Sequence, residues 1–262
     1  GSVTTGKPWD RSAPADDDVE DEDVYDDVYD EYEERPRITF SLEEALHLAG
    51  SILVLSFAFS VALACQQGDK GFPCSFFTGD VSFAKVFSIL PWSILIVVTG
   101  FMLHELAHKI AAQSMYMFAE FRASMPGLGL ALLVSSFTGI VIAAPGAVQI
   151  YGEHITKRQN GIISIVGPAV NLAIGFACVP LLGSGIDVGG IENFFVVVAF
   201  INAFLAAFNM LPVNPLDGSK IWKWNKAIYL GTVLLVVLLF VLTLDIDLGA
   251  LTGGTSGPGG FK

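Results

Sequence analysis

Residues 93–108 read SILIVVTGFMLHELAH, an apolar run that ends in two histidines and a glutamate. His104 and His108 are four positions apart, so their imidazoles share one face of a helix and can reach a single Zn²⁺. Glu105 lies between them and can take a proton from water. The short pattern also arises by chance, but charged groups at mid-membrane cost roughly 2.5–3.5 kcal/mol each on insertion scales. The sequence therefore predicts a functional metal site in a membrane helix.

The whole chain has the composition of an integral membrane protein. Of its 262 residues 53% are hydrophobic and only 15% are charged, and the mean hydropathy is +0.60. Several apolar runs approach the ~20 residues that a helix needs to cross ~30 Å of hydrocarbon. We predict an α-helical polytopic membrane protein in a lipid bilayer, with about five transmembrane helices near 46–64, 85–112, 161–183, 194–212 and 227–244.

A sixth apolar stretch, 126–148, has a different character. Prolines and glycines interrupt it, and its helix propensity is poor. Its small and β-branched residues favour a broken hairpin. We predict a re-entrant, β-hairpin-like segment that is buried in protein or lines a wet cavity, because irregular backbone exposed to lipid is not tolerated.

Basic residues predict the orientation. They are concentrated in the connections after the second span, before the third and after the fourth, as Lys109, Arg122, Lys157, Arg158, Lys220, Lys223 and Lys226. Connections rich in Lys and Arg face the cytoplasm. If 126–148 does not cross the membrane, the amino terminus is cytoplasmic, the carboxy terminus is outside, and the metal site lies toward the cytoplasmic side of the cell membrane.

Residues 16–34 form an acidic block without a basic residue, and this block accounts for the formal net charge of −12. This block lacks apolar periodicity and cannot bury enough surface to offset chain ordering. We predict a disordered cytoplasmic tail over 1–40, a transmembrane domain over 41–245 and a Gly-rich carboxy-terminal tail over 246–262. The negative charge argues against nucleic-acid binding.

Two of the three cysteines flank a short polar loop. Cys65 and Cys74 can form a disulfide if that loop faces an oxidising compartment, and two free thiols are an equally consistent interpretation. The third, Cys178, belongs to an apolar run.

A third metal ligand is expected where the fourth span ends, in NMLPVNPLDG at 209–218. Pro212 and Pro215 end the helix, and Gly218 allows unusual backbone conformations. Such an unwound stretch can direct Asp217 at a metal held by two histidines, and two imidazoles with one carboxylate form a catalytic zinc set. Alternatively, Asp217 caps the following segment or pairs with Lys220.

Three ordered motifs carry a family resemblance that spans roughly 46–244. HELAH at 104–108, GPAVN at 167–171 and NMLPVNPLDG at 209–218 resemble the motifs of the site-2 protease family of intramembrane zinc metalloproteases. The chain resembles archaeal members without CBS domains most closely. It departs from members with six spans, because it has no further helix at its end.

The resemblance implies a zinc metalloendopeptidase with one Zn²⁺ per chain. His104, His108 and Asp217 would bind the metal, Glu105 would be the general base, and Asn171 would lie near the metal to assist substrate or oxyanion binding. The partners would be membrane-spanning protein substrates, cleaved within or near their helices in regulated intramembrane proteolysis. Segment 126–148 resembles the re-entrant β element that pairs with an extended substrate strand. The oligomeric state is not implied.

A divalent-metal transporter is the alternative function, because transporters also place His, Asp and Asn at broken helices near mid-membrane. Two features argue against it. The metal motif has no internal repeat, and Glu105 has a catalytic use but no role that transport requires.

Overall fold

The computed structural model describes residues 38–66, 74–141, 145–152, 155–188, 191 and 193–251, with side chains of the last helix described to residue 244. The acidic block and most of the predicted carboxy-terminal tail lie outside these residues. The domain boundaries at 40 and 245 therefore stay predictions.

Eight α-helices and two strands form the described chain. The helices are α1 Leu42–Gln66, α2 Phe83–Val97, α3 Leu103–Ser114, α4 Met125–Thr138, α5 Lys157–Cys178, α6 Phe194–Asn209, α7 Asp217–Trp224 and α8 Lys226–Leu251. The strands are β1 Phe118–Ala123 and β2 Gly146–Tyr151. A π-helical turn, Val98–Met102, joins α2 to α3, and a 3₁₀ turn, Val179–Ser184, extends α5.

The polytopic helical fold class is confirmed. Within the described residues, four helices are long and apolar enough to cross a membrane: Leu42–Gln66, Phe83–Ser114, Lys157–Ser184 and Lys226–Leu244. The fourth predicted span, 194–212, corresponds to α6, which is apolar but has only 16 residues. At 1.5 Å per residue α6 measures about 24 Å, less than the ~30 Å hydrocarbon core. Helix α6 is therefore too short to cross that core by itself.

Segment 126–148 differs in detail from the prediction. Most of it is helix α4, and the two-stranded sheet pairs β2 with β1, antiparallel, from Phe118↔Tyr151 to Ala123↔Gly146. The expected low helix propensity was overridden, because Ser124 caps the helix, Pro126 lies in the first turn and Gly139 ends it at φ +70°. Prolines and glycines thus stand at the helix ends, where they are favourable.

The two described ends of the segment nevertheless lie together, and re-entry into the membrane stays a prediction. Ser124 N–H donates to Pro145 O at 2.8 Å, so the chain leaves and rejoins the sheet at one place. Between these points α4 packs along α1, and a side chain added at Gly139 would meet Cys65 Cβ at 2.9 Å. The excursion therefore runs along α1 and returns to the end where it began.

Cys65 and Cys74 form a disulfide, which decides between the two interpretations left open by the sequence. The bond ties the end of α1 to the segment before α2. Cys178 is a buried free thiol.

Helix α5 packs closely against its neighbours through glycines. A Cβ at Gly161 would lie 2.4 Å from the Trp224 ring of α7, and one at Gly175 would lie 2.3 Å from Leu239 of α8. Small residues allow membrane helices to approach this closely. Helix α5 also contacts α3 and α6, so it holds together the elements that carry the predicted site residues.

Candidate metal centre

The helix that carries the two histidines begins with a π-helical turn. Leu103 N–H donates to Val98 O, five residues back, and Gly100 inside the turn packs against α6, where an added Cβ would lie 2.9 Å from Leu205 Cδ1. π-Helical turns inside α-helices are frequently found at functional sites. The turn ends at Met102, two residues before His104.

His104, His108 and Asp217 meet at one point. His104 Nε2 and His108 Nε2 are 3.0 Å apart, and Asp217 Oδ2 lies 3.5 Å from the first and 3.1 Å from the second. All three residues are buried. Among the described residues, they form the group of ligand atoms close enough to hold a metal ion.

The other nitrogen of each imidazole is occupied by an acceptor on α5. His104 Nδ1 lies 2.6 Å from Asn171 Oδ1, and His108 Nδ1 lies 2.7 Å from the carbonyl oxygen of Ile163. A carbonyl oxygen can only accept, so each Nδ1 must carry the proton. Each Nε2 therefore presents a bare lone pair to the point where the three side chains meet.

This donor set fits Zn²⁺. Two imidazole lone pairs and one carboxylate oxygen converge without a proton of their own between them, which is unfavourable unless a cation joins them. Zinc bonds of ~2.0–2.1 Å in a tetrahedron place neighbouring ligand atoms about 3.3 Å apart, and the three observed separations of 3.0, 3.1 and 3.5 Å bracket that distance. Three protein ligands leave a fourth position for water or substrate.

Asp217 arrives from the loop that follows α6. It is the first residue of α7, one position after the capping position at Leu216, so the predicted capping alternative does not describe it. A Cβ at Gly218 would lie 2.2 Å from Met210 O, so only glycine permits this close return of the chain. Tyr229 O–H fixes the same carbonyl from α8 at 2.9 Å.

The Lys220 alternative is compatible with metal binding. Lys220 Nζ lies 3.4 Å from Asp217 Oδ1, whereas Oδ2 faces the histidines. Burial alone would raise the pKa of Asp217, but the contacts of its carboxyl group with His104 and His108 lower it well below its usual range. The carboxyl group is therefore ionised, which is the form that binds metals.

Asn171 lies beside the metal ligands, as expected, but its amide is fully engaged. Its Nδ2 donates to Gly100 O at 2.7 Å and to Asn202 Oδ1 at 2.9 Å, while its Oδ1 faces His104. Both asparagines are completely buried. Because Gly100 O can only accept, the amide orientation is determined, and it directs an acceptor at His104.

The side chain of Glu105 points toward the sheet and away from helix α5, which the two histidines contact. Its Oε2 accepts from Val148 N–H of β2 at 3.0 Å. Glu105, the three ligand residues and β2 line a common cavity of about 790 Å³, together with Phe101 and Leu205 among others. The cavity thus joins the Glu105 carboxylate, the candidate metal-binding residues and a strand edge.

Gly167 is a site residue that the sequence analysis connected with the metal only through its motif. A Cβ there would lie 2.4 Å from His108 Nε2 and 2.7 Å from His104 Cε1. Gly167→Ala should therefore displace both imidazoles and lower zinc content and activity together. Metal analysis of the purified variant measures this, with Gly231→Ala as control, because an added Cβ at Gly231 would meet nothing within 4 Å in the described structure. Wild-type zinc content in Gly167→Ala would contradict the expectation.

Residues 163, 167 and 171 follow a spacing of four, so they form one stripe of α5 that faces the two histidines. Ile163 supplies a carbonyl group, Gly167 leaves space for the two imidazoles, and Asn171 supplies an amide, as described above. A backbone carbonyl has no sequence signal. The glycine and proline inside an apolar helix are the only signal that could have indicated this contact.

Comparison with known proteins gives concordant matches. The model of peptidase family M50 matches residues 183–228, which include Asp217. A protein of Methanocaldococcus jannaschii, provisionally named a zinc metalloprotease, is 36% identical over 197 residues, covering 72% of this chain and 88% of that protein. A Bacillus subtilis protein with the same provisional name is 30% identical over 153 residues, covering 51% of this chain and 68% of that protein. No solved structure matches the chain.

Proposed function

Because this chain belongs to peptidase family M50, the site-2 proteases, and is a zinc metallopeptidase, we propose that it hydrolyses peptide bonds within or near transmembrane helices of membrane-anchored proteins. The observation that carries the proposal is the buried His104–His108–Asp217 group beside Glu105, built on apolar helices that can cross a membrane. The likeness to the Methanocaldococcus jannaschii protein provisionally named a zinc metalloprotease supports the same assignment.

The reaction needs a nucleophile and a proton carrier. Zn²⁺ held by His104, His108 and Asp217 would lower the pKa of water toward ~7 and polarise the scissile carbonyl. Glu105 takes the proton of the attacking water and passes it to the leaving amine. In this proposal its Oε1 takes the proton, because Val148 N–H donates to Oε2.

A substrate helix must unwind before its carbonyl can be attacked, and β2 offers replacement hydrogen bonds. In an antiparallel pair the N–H groups of alternate residues point outward. The outward N–H of Val148 therefore indicates that those of Gly146 and Ile150 also face away from β1. An unwound substrate segment can add as a strand along this edge, next to Glu105.

The orientation of the protein follows from its basic residues. Lys220, Lys223 and Lys226 lie on or after α7, and Lys157 and Arg158 begin α5, which α7 contacts. Clustered Lys and Arg favour the cytoplasmic side. We place the active site toward the cytoplasm, with the amino terminus on the same side.

Asn171 acts on His104 in this proposal, which differs from direct oxyanion binding. Asn171→Ala leaves Nδ1 of His104 without its acceptor, and loss of such a partner typically weakens metal binding about 10–100-fold. Zinc competition titrations should show this loss, and activity should recover at saturating zinc. A fall in kcat with unchanged zinc affinity would instead support the oxyanion role.

Reconstitution tests the function itself. The purified protein in liposomes is expected to cleave a labelled single-span helix that contains Gly-Pro, and to cleave a matched all-Leu helix far more slowly, because the second resists unwinding. A chelator should stop cleavage and Zn²⁺ should restore it. Metal flux into the liposomes without cleavage would reject the protease and support the transporter.

A further inference from the structure

Helix α3 has two faces with different contacts. His104 and His108 face α5 and Asp217, as described above. Glu105, Lys109 and Gln113 follow at intervals of four, so they form an adjacent stripe along the helix. All three side chains of this stripe contact the main chain of the β1–β2 sheet. The helix that binds the metal therefore also holds the sheet.

The outer edge of β1 is bound at two main-chain groups. Lys109 Nζ donates to Ala119 O at 3.2 Å, and Gln113 Nε2 donates to the same oxygen at 3.1 Å. Two residues along, Phe121 N–H donates to Glu44 Oε1 of α1 at 2.9 Å. The Lys109 ammonium and the Gln113 amide thus donate to the carbonyl oxygen, and the Glu44 carboxylate accepts from the N–H.

The outer edge of β2 is bound at the position directly opposite. Phe121 pairs with Val148 in the register of the sheet, and Val148 N–H donates to Glu105. Two carboxylates therefore hold the same cross-strand pair from its two sides, Glu44 at β1 and Glu105 at β2. The distance from the metal ligands to the strand edge is set by these contacts.

The Glu44–Lys109 ion pair is completely buried, with 0% of either side chain exposed. Burying two charges costs several kcal/mol per ion, and replacing such a pair by apolar residues is often neutral or stabilising. A contribution to stability therefore does not explain the pair. The geometry of the pair does explain it. Lys109 also donates to a carbonyl oxygen of β1, and Glu44 also accepts from an N–H group of β1.

We propose that Glu44 and Lys109 are positioning residues, which seat the β1–β2 sheet on α3 so that Val148 N–H meets Glu105 and the strand edge lies at the metal. The inference rests on the proposed function, since it assigns that edge to the substrate. Glu44 and Lys109 do not touch the metal ligands; their effect on cleavage passes through the sheet.

Two double variants test the proposal. Glu44→Gln/Lys109→Met and Glu44→Leu/Lys109→Met both remove the ion pair, but only the first keeps an oxygen that can accept from Phe121 N–H. Each variant leaves one buried N–H group unpaired, the side-chain amide in the Gln variant and Phe121 N–H in the Leu variant, so their thermal unfolding should be similar. The Leu variant should be the less active, by about 100-fold in kcat on the single-span substrate, which is the cost of a displacement of about 1 Å.

Two further measurements separate positioning from general damage. Zinc affinity should be the same in both variants, because the histidines lie on the other face of α3. Amide hydrogen exchange over 118–123 and 146–151 should be faster in the Leu variant than in the Gln variant. A role in stability alone predicts that activity follows thermal stability, and equal activity and exchange in the two variants would overturn the proposal.

Cleavage by the wild type tests the proposed function separately from the comparison of the two variants. If the wild type does not cleave the single-span helix, the proposed function fails whatever the variants do. If it cleaves and the two variants are alike, only the positioning role fails. Exchange rates of the sheet remain interpretable in either case.

Discussion

Replacing Glu105 by Gln is expected to abolish cleavage while zinc remains bound. The amide is nearly isosteric, and its oxygen can still accept from Val148 N–H, which contacts the carboxylate at 3.0 Å. It cannot take a proton from water, and loss of general base catalysis costs about 10²–10⁴ in rate. The measurement is cleavage of the single-span substrate together with zinc content.

Glu120→Gln provides a matched control for this substitution. Glu120 lies on β1 and pairs with Arg122 at 2.5 Å, so the same chemical change there leaves the base in place. Wild-type activity in Glu105→Gln would exclude Glu105 as the base, and loss of zinc in that variant would assign it a role in the structure of the site.

Removing the carboxylate of Asp217 should cost zinc itself. Asp217→Ala takes away one of the three converging ligand atoms, whereas Lys220→Met removes only the partner of Oδ1 at 3.4 Å. We expect zinc affinity to fall by more than the about 10–100-fold typical of an outer partner in Asp217→Ala, and by less than that in Lys220→Met. Competition with a chromogenic chelator measures both.

This comparison distinguishes the two contacts of Asp217. If its pairing with Lys220 were its main role, the two variants would lose stability together and keep their zinc. Equal zinc affinity in the wild type and Asp217→Ala would remove Asp217 from the ligand set.

Much of the candidate site could be read from local patterns. The four-residue spacing of His104 and His108 is a property of any helix, so their common face follows from the sequence. Asp217 could be singled out because prolines and a glycine around it break the helix. The distance from Asp217 to the histidines could not be predicted, because it depends on how α6 and the following loop pack against α3.

The sheet shows the limit of pattern reading most clearly. Glycine and proline at 126, 127, 139, 145 and 146 suggested a hairpin. Those at 126, 127 and 139 lie at the two ends of helix α4 instead. Composition alone does not distinguish a breaker inside an element from one at its end. The strand 118–123 was not predicted, because it is short and helix α4 separates it from its partner strand along the sequence.

The sequence by itself determined the membrane class, the metal-binding residue types and their helical spacing, since these depend on composition and on contacts within a few residues. Only the tertiary structure decided which nitrogen of each histidine faces the metal, which residues hold Asn171, and how Lys109 and Glu44 bind the strand that contacts Glu105. Apart from Lys109 with Ala119, those features are contacts between residues 31 to 77 positions apart along the chain, such as Asn171 with Asn202 and Glu44 with Phe121. Packing of several helices creates them, and no local pattern encodes that packing.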